Sequence, residues 1–534
     1  MKLEQAGAVT VFVAAGAVGA IGVYLAWGLI SSMLHPSTPR EAAEQTRTVA
    51  AQPASDDTKL VGIPTGAADP AAAIAPKAEP KPEPQPQSQG ALTKLEEAAP
   101  DTPPVAPIEI EVADPRLVSV GGAPTATVKR GLVILQIGDS HTSADFLSGE
   151  LRRRLQARYG RGGTGYMTAG HPHIGVRSST TKVTASAGWT YKSLQKPDAR
   201  VAEFWLSGYN AIATAAGETL SFGYEEPRVF DMIEIEAVAQ PGGGAIDVKL
   251  DGNVATHYDL SAERIEPIVI RLLPVRGPTE KVREVSITTT AAGTVSIASV
   301  SIYNNRSGVT YNSVGYVGAQ AGLLAKMSDT LFADDLRRIN PQIIVLAFGT
   351  NEADNEHFDP AQYSRTYEKV IRKIKASLPN VAIVVVSPPD FNEMPSGCSK
   401  EKAAEATCRR SRPEAVASTP AGPALASATE GKSEGKSEAK SGECFWRTPA
   451  RLAQVRDVQR EIARRDGLVY WNWGSIMPAE CGAHQWFTAS PSLMARDHVH
   501  FTAEGYRRSA AELLNTLIPM IEKVRVGANA VSNN

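Results

Sequence analysis

Net charge is the first thing this sequence lacks. Its 534 residues include 55 Lys and Arg and 57 Asp and Glu, a formal charge of −2. That balance excludes a global attraction to nucleic acid or to an anionic membrane surface. The one locally basic stretch, Arg451 to Arg465, has the pattern of a solvated helix face. Cysteine is scarce as well. The four, Cys398, Cys408, Cys444 and Cys481, all lie in the final third, and their spacing fits no zinc-ribbon pattern. Two disulfides in an oxidising compartment are expected, with sequence neighbours paired, Cys398 with Cys408 and Cys444 with Cys481. From Gln5 to Leu34 charge is missing altogether. A secretory signal core is only about 7–15 residues, whereas about 20 apolar residues span a bilayer as a helix. The expectation is a short cytoplasmic N-terminus (1–5) and a transmembrane signal anchor (6–34). The bulk of the chain is then periplasmic, held by a single pass in the inner membrane.

What is present divides the rest of the chain by composition. Residues 35–115 are rich in Ala, Pro, Glu and Gln, as in Ala75-Pro76-Lys77-Ala78-Glu79-Pro80. Such a segment buries too little apolar surface to order itself, so it reads as an extended, disordered tether. The all-apolar runs Leu132 to Ile137, Ile343 to Phe348 and Val381 to Val386, with Leu468 to Trp473, read as buried strands. Helical patterns alternate with them, around Leu323 to Ile339, Gln362 to Leu378 and Ala503 to Val524, and as a stripe of Leu147, Leu151 and Leu155. The fold class expected is α/β, a parallel sheet covered by helices, in two parts at 116–179 and 306–525. Between them, 180–305 changes to alternating strands and Gly-rich turns, the mark of an inserted β-sandwich. It is either carbohydrate-binding or an architectural lid. Residues 399–442, with the repeat Glu430-Gly431-Lys432-Ser433, form a low-complexity insertion.

Three short blocks carry chemistry. Gly138-Asp139-Ser140-His141 follows the first strand, Gly349-Thr350-Asn351-Glu352 follows a later one, and Asp497-His498-Val499-His500 precedes the terminal helix. A serine in a tight strand-to-helix turn exposes its Oγ, and backbone N–H groups point into such a site. Asp497 and His500, three apart, can fold so that the carboxylate holds Nδ1–H and leaves Nε2 as base. Each block has a plainer reading: Asp139 or Ser140 as a helix cap, Asn351 as a turn residue, Thr502 as the cap of the last helix. Metal binding by Asp497, His498 and His500 is a further alternative.

Taken in order, these blocks resemble the SGNH (GDSL-like) hydrolase superfamily. Gly138-Asp139-Ser140 matches its first block, Gly349 to Glu352 its third and Asp497 to His500 its Asp-x-x-His block. Tyr311 to Ala319 fits the second, with Gly318 or its rival Gly315 as the glycine. His141 replaces the commoner leucine, and Glu352 the commoner aspartate. The histidine and the inserted sandwich resemble exported peptidoglycan O-acetylesterases. The resemblance implies a catalytic triad of Ser140, Asp497 and His500, and an oxyanion hole of Ser140, Gly318 and Asn351, with no cofactor and no metal. The function implied is a membrane-anchored serine esterase removing O-acetyl groups from a cell-envelope polysaccharide. Two alternatives stand beside it: an O-acetyltransferase using the same site, and a non-catalytic envelope carbohydrate-binding protein.

Overall fold

The computed structural model describes residues 131–274, 280–304, 308–395, 398, 406–409 and 444–532, and the backbone of a short strand at Leu117–Val120. The anchor, the whole tether and most of the 399–442 insertion lie outside the described residues. So do the side chains of 526–532.

Five parallel strands form the central sheet, in the order Val309–Gly315, Leu132–Gly138, Ile343–Ala347, Ala382–Val386, Val469–Trp471. Every residue of Leu132–Gly138 and of Ile343–Ala347 is buried. The period-2 geometry of a strand splits these continuous apolar runs between two cores. Val133, Leu135, Ile137, Ile344 and Leu346 face one side, with helices Asp329–Ile339, Pro360–Ser377 and Ala450–Arg465. Leu132, Ile134, Ile343 and Val345 face the other, with Phe146–Tyr159 and Ala503–Ser532. The expected α/β layering is therefore observed. In chain order the strands run 2-1-3-4-5, so the direction of winding reverses between Leu132–Gly138 and Ile343–Ala347. In open α/β sheets such a reversal opens a crevice at the carboxyl edge.

The remaining strands form a seven-stranded sheet, antiparallel except at the edge strand Leu117–Val120, and an antiparallel five-stranded sheet, around a separate core that includes Phe222, Ile235, Val248, Ile270 and Ile287. Two of their strands come from before residue 180. Leu117–Val120 pairs with Glu266–Leu272, and Gly163–Thr168 pairs with Val295–Tyr303. The glycine-rich sequence of Gly163–Thr168 hides it from a search for alternation. A buried charge network ties this sandwich to the helix Asp329–Ile339: Arg338 binds Glu234, Glu236 and Asp335, and Arg271 binds Glu234 at 2.6 Å.

Two details differ from the sequence reading. The stretch Leu323 to Ile339 is two helices, Gly322–Lys326 and Asp329–Ile339, because Ser328 caps the second by accepting from Leu331 N. Arg152, which is not one of the stripe residues Leu147, Leu151 and Leu155, is buried as well and paired with Asp145 at 3.0 Å. Among the described residues no helix is long and apolar enough to cross a membrane.

Candidate active site

The site begins where Leu132–Gly138 ends. Gly138 is required by contact: a Cβ there would lie 2.3 Å from Thr142 Oγ1 and 2.5 Å from the Ala347 carbonyl oxygen. The chain turns at once into the short helix Ser140–Ser143, whose N-cap is Asp139, accepting from His141 N at 3.0 Å. The plainer reading of Asp139 is therefore also correct. Its carboxyl is fully buried, and burial pushes it up to about 6 despite the hydrogen bond from His141 N and the nearby charge of His500.

Ser140, His500 and Asp497 come together across 360 residues of chain. His500 Nε2 lies 2.8 Å from Ser140 Oγ, and His500 Nδ1 lies 2.7 Å from Asp497 Oδ2. The other carboxylate oxygen, Oδ1, accepts from Val499 N at 3.0 Å and His500 N at 2.9 Å. Burial works to raise the Asp497 carboxyl, but the hydrogen bonds from the His500 ring and from these two amides hold it at about 2. The bond to Asp497 in turn lifts the His500 imidazole above its ordinary value, against the opposing effect of burial. Nε2 is thus oriented as a proton acceptor toward the serine hydroxyl. Thr502 caps the following helix, accepting from Gly505 N at 3.2 Å, so the cap and the Asp497–His500 pair share one loop.

His498 points elsewhere. Its backbone is left-handed at φ 56°, so the segment is not extended and its ring does not lie beside that of His500. The ring stacks on Trp446 with centroids 3.8 Å apart, and Nε2 lies 3.2 Å from His484 Nδ1. Burial lowers it to about 4. Asp497, His498 and His500 therefore do not converge. Among the described residues no group of three His, Cys, Asp or Glu side chains is placed to hold a metal ion.

The loops carrying Ser140, Gly318 and Asn351 follow three adjacent strands and emerge side by side at the carboxyl edge. The structure separates the two rival glycines. A Cβ on Gly315 would lie 2.1 Å from Ser143 N, so this glycine lets the helix Ser140–Ser143 sit against its strand. Gly318 has φ 73° and open space where a Cβ would be. The N–H groups of Ser140 and Gly318 have no acceptor among the described residues. Asn351 Nδ2 donates to Ala319 O at 2.9 Å, and Glu352 Oε1 accepts from Ala321 N at 2.7 Å, so the third block clamps the loop that bears Gly318. Burial pushes the Glu352 carboxyl up to about 8.

Sequence reasoning left several neighbours unread. His141 is fully buried, with Nδ1 2.9 Å from the Tyr506 hydroxyl and its ring 5.3 Å from that of His500. Burial lowers its pKa to about 3, so it stays neutral beside the His500–Asp497 pair. The disulfides are Cys398–Cys444 and Cys408–Cys481, not the sequence neighbours expected. The reason is spatial: Cys408 and Cys481 bring Trp446 and the helix bearing His484 to the two sides of His498.

Three comparisons bear on this geometry. Residues 286–513 match the GDSL-like lipase/acylhydrolase family model. The matched region starts after the Ser140 turn, which the sandwich separates from it. Among solved structures, "Peptidoglycan O-acetylesterase in action, 5 min" is similar at 23% identity and TM-score 0.54, covering 74% of this chain and 92% of that one. A family two carbohydrate esterase from Clostridium thermocellum is similar at 10% identity and TM-score 0.23, covering 63% and 98%. Another, from Cellvibrio japonicus, stands at 12% and 0.22, covering 67% and 99%. No curated protein matches the sequence. Residues 286–513 are thus similar to the GDSL-like lipases and acylhydrolases, and the fold is similar to that of a peptidoglycan O-acetylesterase.

Proposed function

We propose that the protein is a membrane-anchored serine esterase that removes O-acetyl groups from peptidoglycan in the periplasm. The observation that carries this reading is the hydrogen-bonded chain Ser140–His500–Asp497. In the reaction, Ser140 Oγ attacks the acetyl carbonyl carbon as His500 Nε2 takes its proton. The N–H groups of Ser140 and Gly318 and the Asn351 amide receive the oxyanion. Collapse of the tetrahedral intermediate expels the sugar oxygen, which takes the proton from His500 and leaves acetyl-Ser140. Water activated by the same imidazole then releases acetate.

The choice of acetyl group and polymer is supported by the name of the similar solved structure, a peptidoglycan O-acetylesterase. An open site is what a polymer requires, and the side chains of His500 and Asp497 are 40% and 51% exposed. Anchoring is supported by the uncharged run Gln5 to Leu34, and export by the two disulfides. The test is acetate release from O-acetylated peptidoglycan by the full-length protein, with Ser140→Ala as control. Removing a triad serine costs on the order of 10⁶-fold. A control retaining more than a few per cent of wild-type activity would refute the serine mechanism. Fractionation with protease added outside the inner membrane tests the topology: residues beyond 40 should be cleaved, and protection of them would place the enzyme in the cytoplasm.

A further inference from the structure

Two clefts run along the junction of the catalytic sheet and the sandwich, of about 640 and 750 Å³, and they share Asp145, Arg152, Thr164 and Thr180 as a common wall. They begin beside the nucleophile: Ser143 lines the first, and its Oγ donates to the Ser140 carbonyl at 3.2 Å. The wall is fixed before any ligand arrives. Arg177 N donates to Ser143 O at 2.9 Å, and Ser143 Oγ also donates to Gly175 O at 3.0 Å. Ser179 donates twice to Asp145 Oδ2, from N at 2.7 Å and from Oγ at 2.8 Å.

The charges on this wall are one-sided. Of the lining carboxylates, Asp145 is held by Arg152, and Glu150 by Arg153 and Arg154. Only Glu226 is left without a cationic partner among the described residues. Against it stand Arg161, Arg177, Lys182, Arg228 and Lys281, none of which has a carboxylate partner among the described residues. Arg177 and Arg228 rest against the rings of Phe146 and Tyr224. Five unpaired cations along one groove are a local excess in a chain whose formal charge is −2. A cleft lined by one sign of charge concentrates the opposite charge and can raise encounter rates by about 10–10³.

We propose that this groove binds carboxylate groups of the polymer whose acetyl esters the site hydrolyses, so that the enzyme selects acetylated glycans bearing regularly spaced carboxylates over neutral ones. The proposal rests on the esterase reading and deepens it. Two sources offer that chemistry, the peptide substituents of peptidoglycan and the uronates of acidic polysaccharides.

The test uses the full-length protein and the variant Lys182→Glu/Lys281→Glu, two exposed positions remote from the triad. Substrates are O-acetylated peptidoglycan, the same glycan stripped of its peptides by an amidase, O-acetylated pectin, neutral O-acetylated xylan, and p-nitrophenyl acetate. Wild-type kcat/KM should be higher on a carboxylate-bearing polymer than on xylan, and the excess should fade at about 0.5 M salt, where screening shortens to a few Å. The variant should lose about tenfold or more on that polymer and stay within about twofold of wild type on xylan and p-nitrophenyl acetate. The amidase frees a lactyl carboxylate on each stripped muramic acid, so an effect lost on stripped peptidoglycan assigns it to the peptide carboxylates, and one kept there or on pectin assigns it to carboxylates carried by the sugars themselves. Equal, salt-independent rates on all polymers, unchanged by the reversal, would overturn the groove. If the wild type turns over none of the five substrates, the esterase reading fails instead. Cosedimentation of Ser140→Ala with each polymer, with and without the charge reversal, then still decides whether the groove binds carboxylates.

Discussion

Replacing Asp497 by asparagine separates catalysis from stability, and the structure says why. Asp497 Oδ1 accepts from two backbone amides, Val499 N and His500 N, while Oδ2 accepts from His500 Nδ1. An asparagine has one oxygen, and only that oxygen can serve the two amides. Its NH₂ group must then face His500 Nδ1, which can receive it only as an acceptor. The imidazole is driven to the tautomer with hydrogen on Nε2, and Nε2 can no longer take the proton from Ser140. The expected loss in kcat is about 10⁴-fold, or ~5.5 kcal/mol of transition-state stabilisation. Folding should scarcely notice. The pair is 40% and 51% exposed, and solvent-exposed ion pairs contribute only about 0–1 kcal/mol. The residual activity should carry a second signature. In the wild type the bond to Asp497 raises the His500 pKa, so activity should climb with pH through a midpoint above 6.5. In Asp497→Asn that midpoint should move down. The sign for stability is the reverse of that for activity. The gain from a raised histidine is full below its unfolded pKa and is lost as pH rises through the folded one. Stopped-flow or steady-state hydrolysis of p-nitrophenyl acetate from pH 5 to 9, with thermal melts alongside, reads both. A variant retaining more than a tenth of wild-type kcat, or an unshifted midpoint, would refute the argument.

Four other outcomes follow from the same contacts. Asn351→Ala should lower kcat by about 10²–10³ with little change in KM, and an unchanged kcat would make Asn351 a loop clamp alone, through its bond to Ala319 O. Gly315→Ala should destabilise the protein far more than Gly318→Ala in chemical denaturation, because only the first meets backbone, at 2.1 Å from Ser143 N. The left-handed φ at Gly318 costs an alanine about 1–2 kcal/mol. Glu352→Gln should stabilise the fold at pH 8 relative to pH 5, since burial raises that carboxyl from 4.5 to about 8 and, between those values, the unfolded chain gives up a proton that the folded one keeps, so the wild type loses stability as pH rises. An equal melting shift at both pH values would show that Glu352 is not held neutral. Cys408→Ser/Cys481→Ser, which opens a link across 73 residues, should cost about 2–5 kcal/mol in denaturant unfolding and lower kcat by loosening the support of His498 beneath the Asp497–His500 loop. Full activity after that change would detach the disulfide from the site.

Local rules carried the sequence reading a long way, for definite reasons. A strand buried on both faces must be apolar throughout, so Leu132 to Ile137 and Ile343 to Phe348 announce a covered parallel sheet without any structure. A serine in a Gly-Asp-Ser turn after one such strand, an Asn after another and an Asp-x-x-His before the last helix are short patterns whose order survives long insertions. What lies between depends on contacts the chain makes at a distance. Gly163–Thr168 has no alternation to betray it, and it becomes a strand because Ser299–Tyr303 runs on past the pairing of Val295–Ile297 with Tyr209–Ala213 and leaves its edge open. Cysteine pairing follows Cα positions rather than order in the chain, and Cys408 meets Cys481 because the 444–447 segment is laid beside it. Arg152 looks like a surface residue in its run of three arginines, until Asp145 and the Tyr311 carbonyl receive it. Sequence alone determined the fold class and singled out Ser140, Asp497 and His500 as candidates, because both are written in local patterns of polarity and turn. Only the tertiary structure decided that Ser140 and His500 lie 2.8 Å apart, which of two glycines leaves its N–H open, and that five cations line one groove. Distance and burial belong to the packed molecule and to no stretch of it.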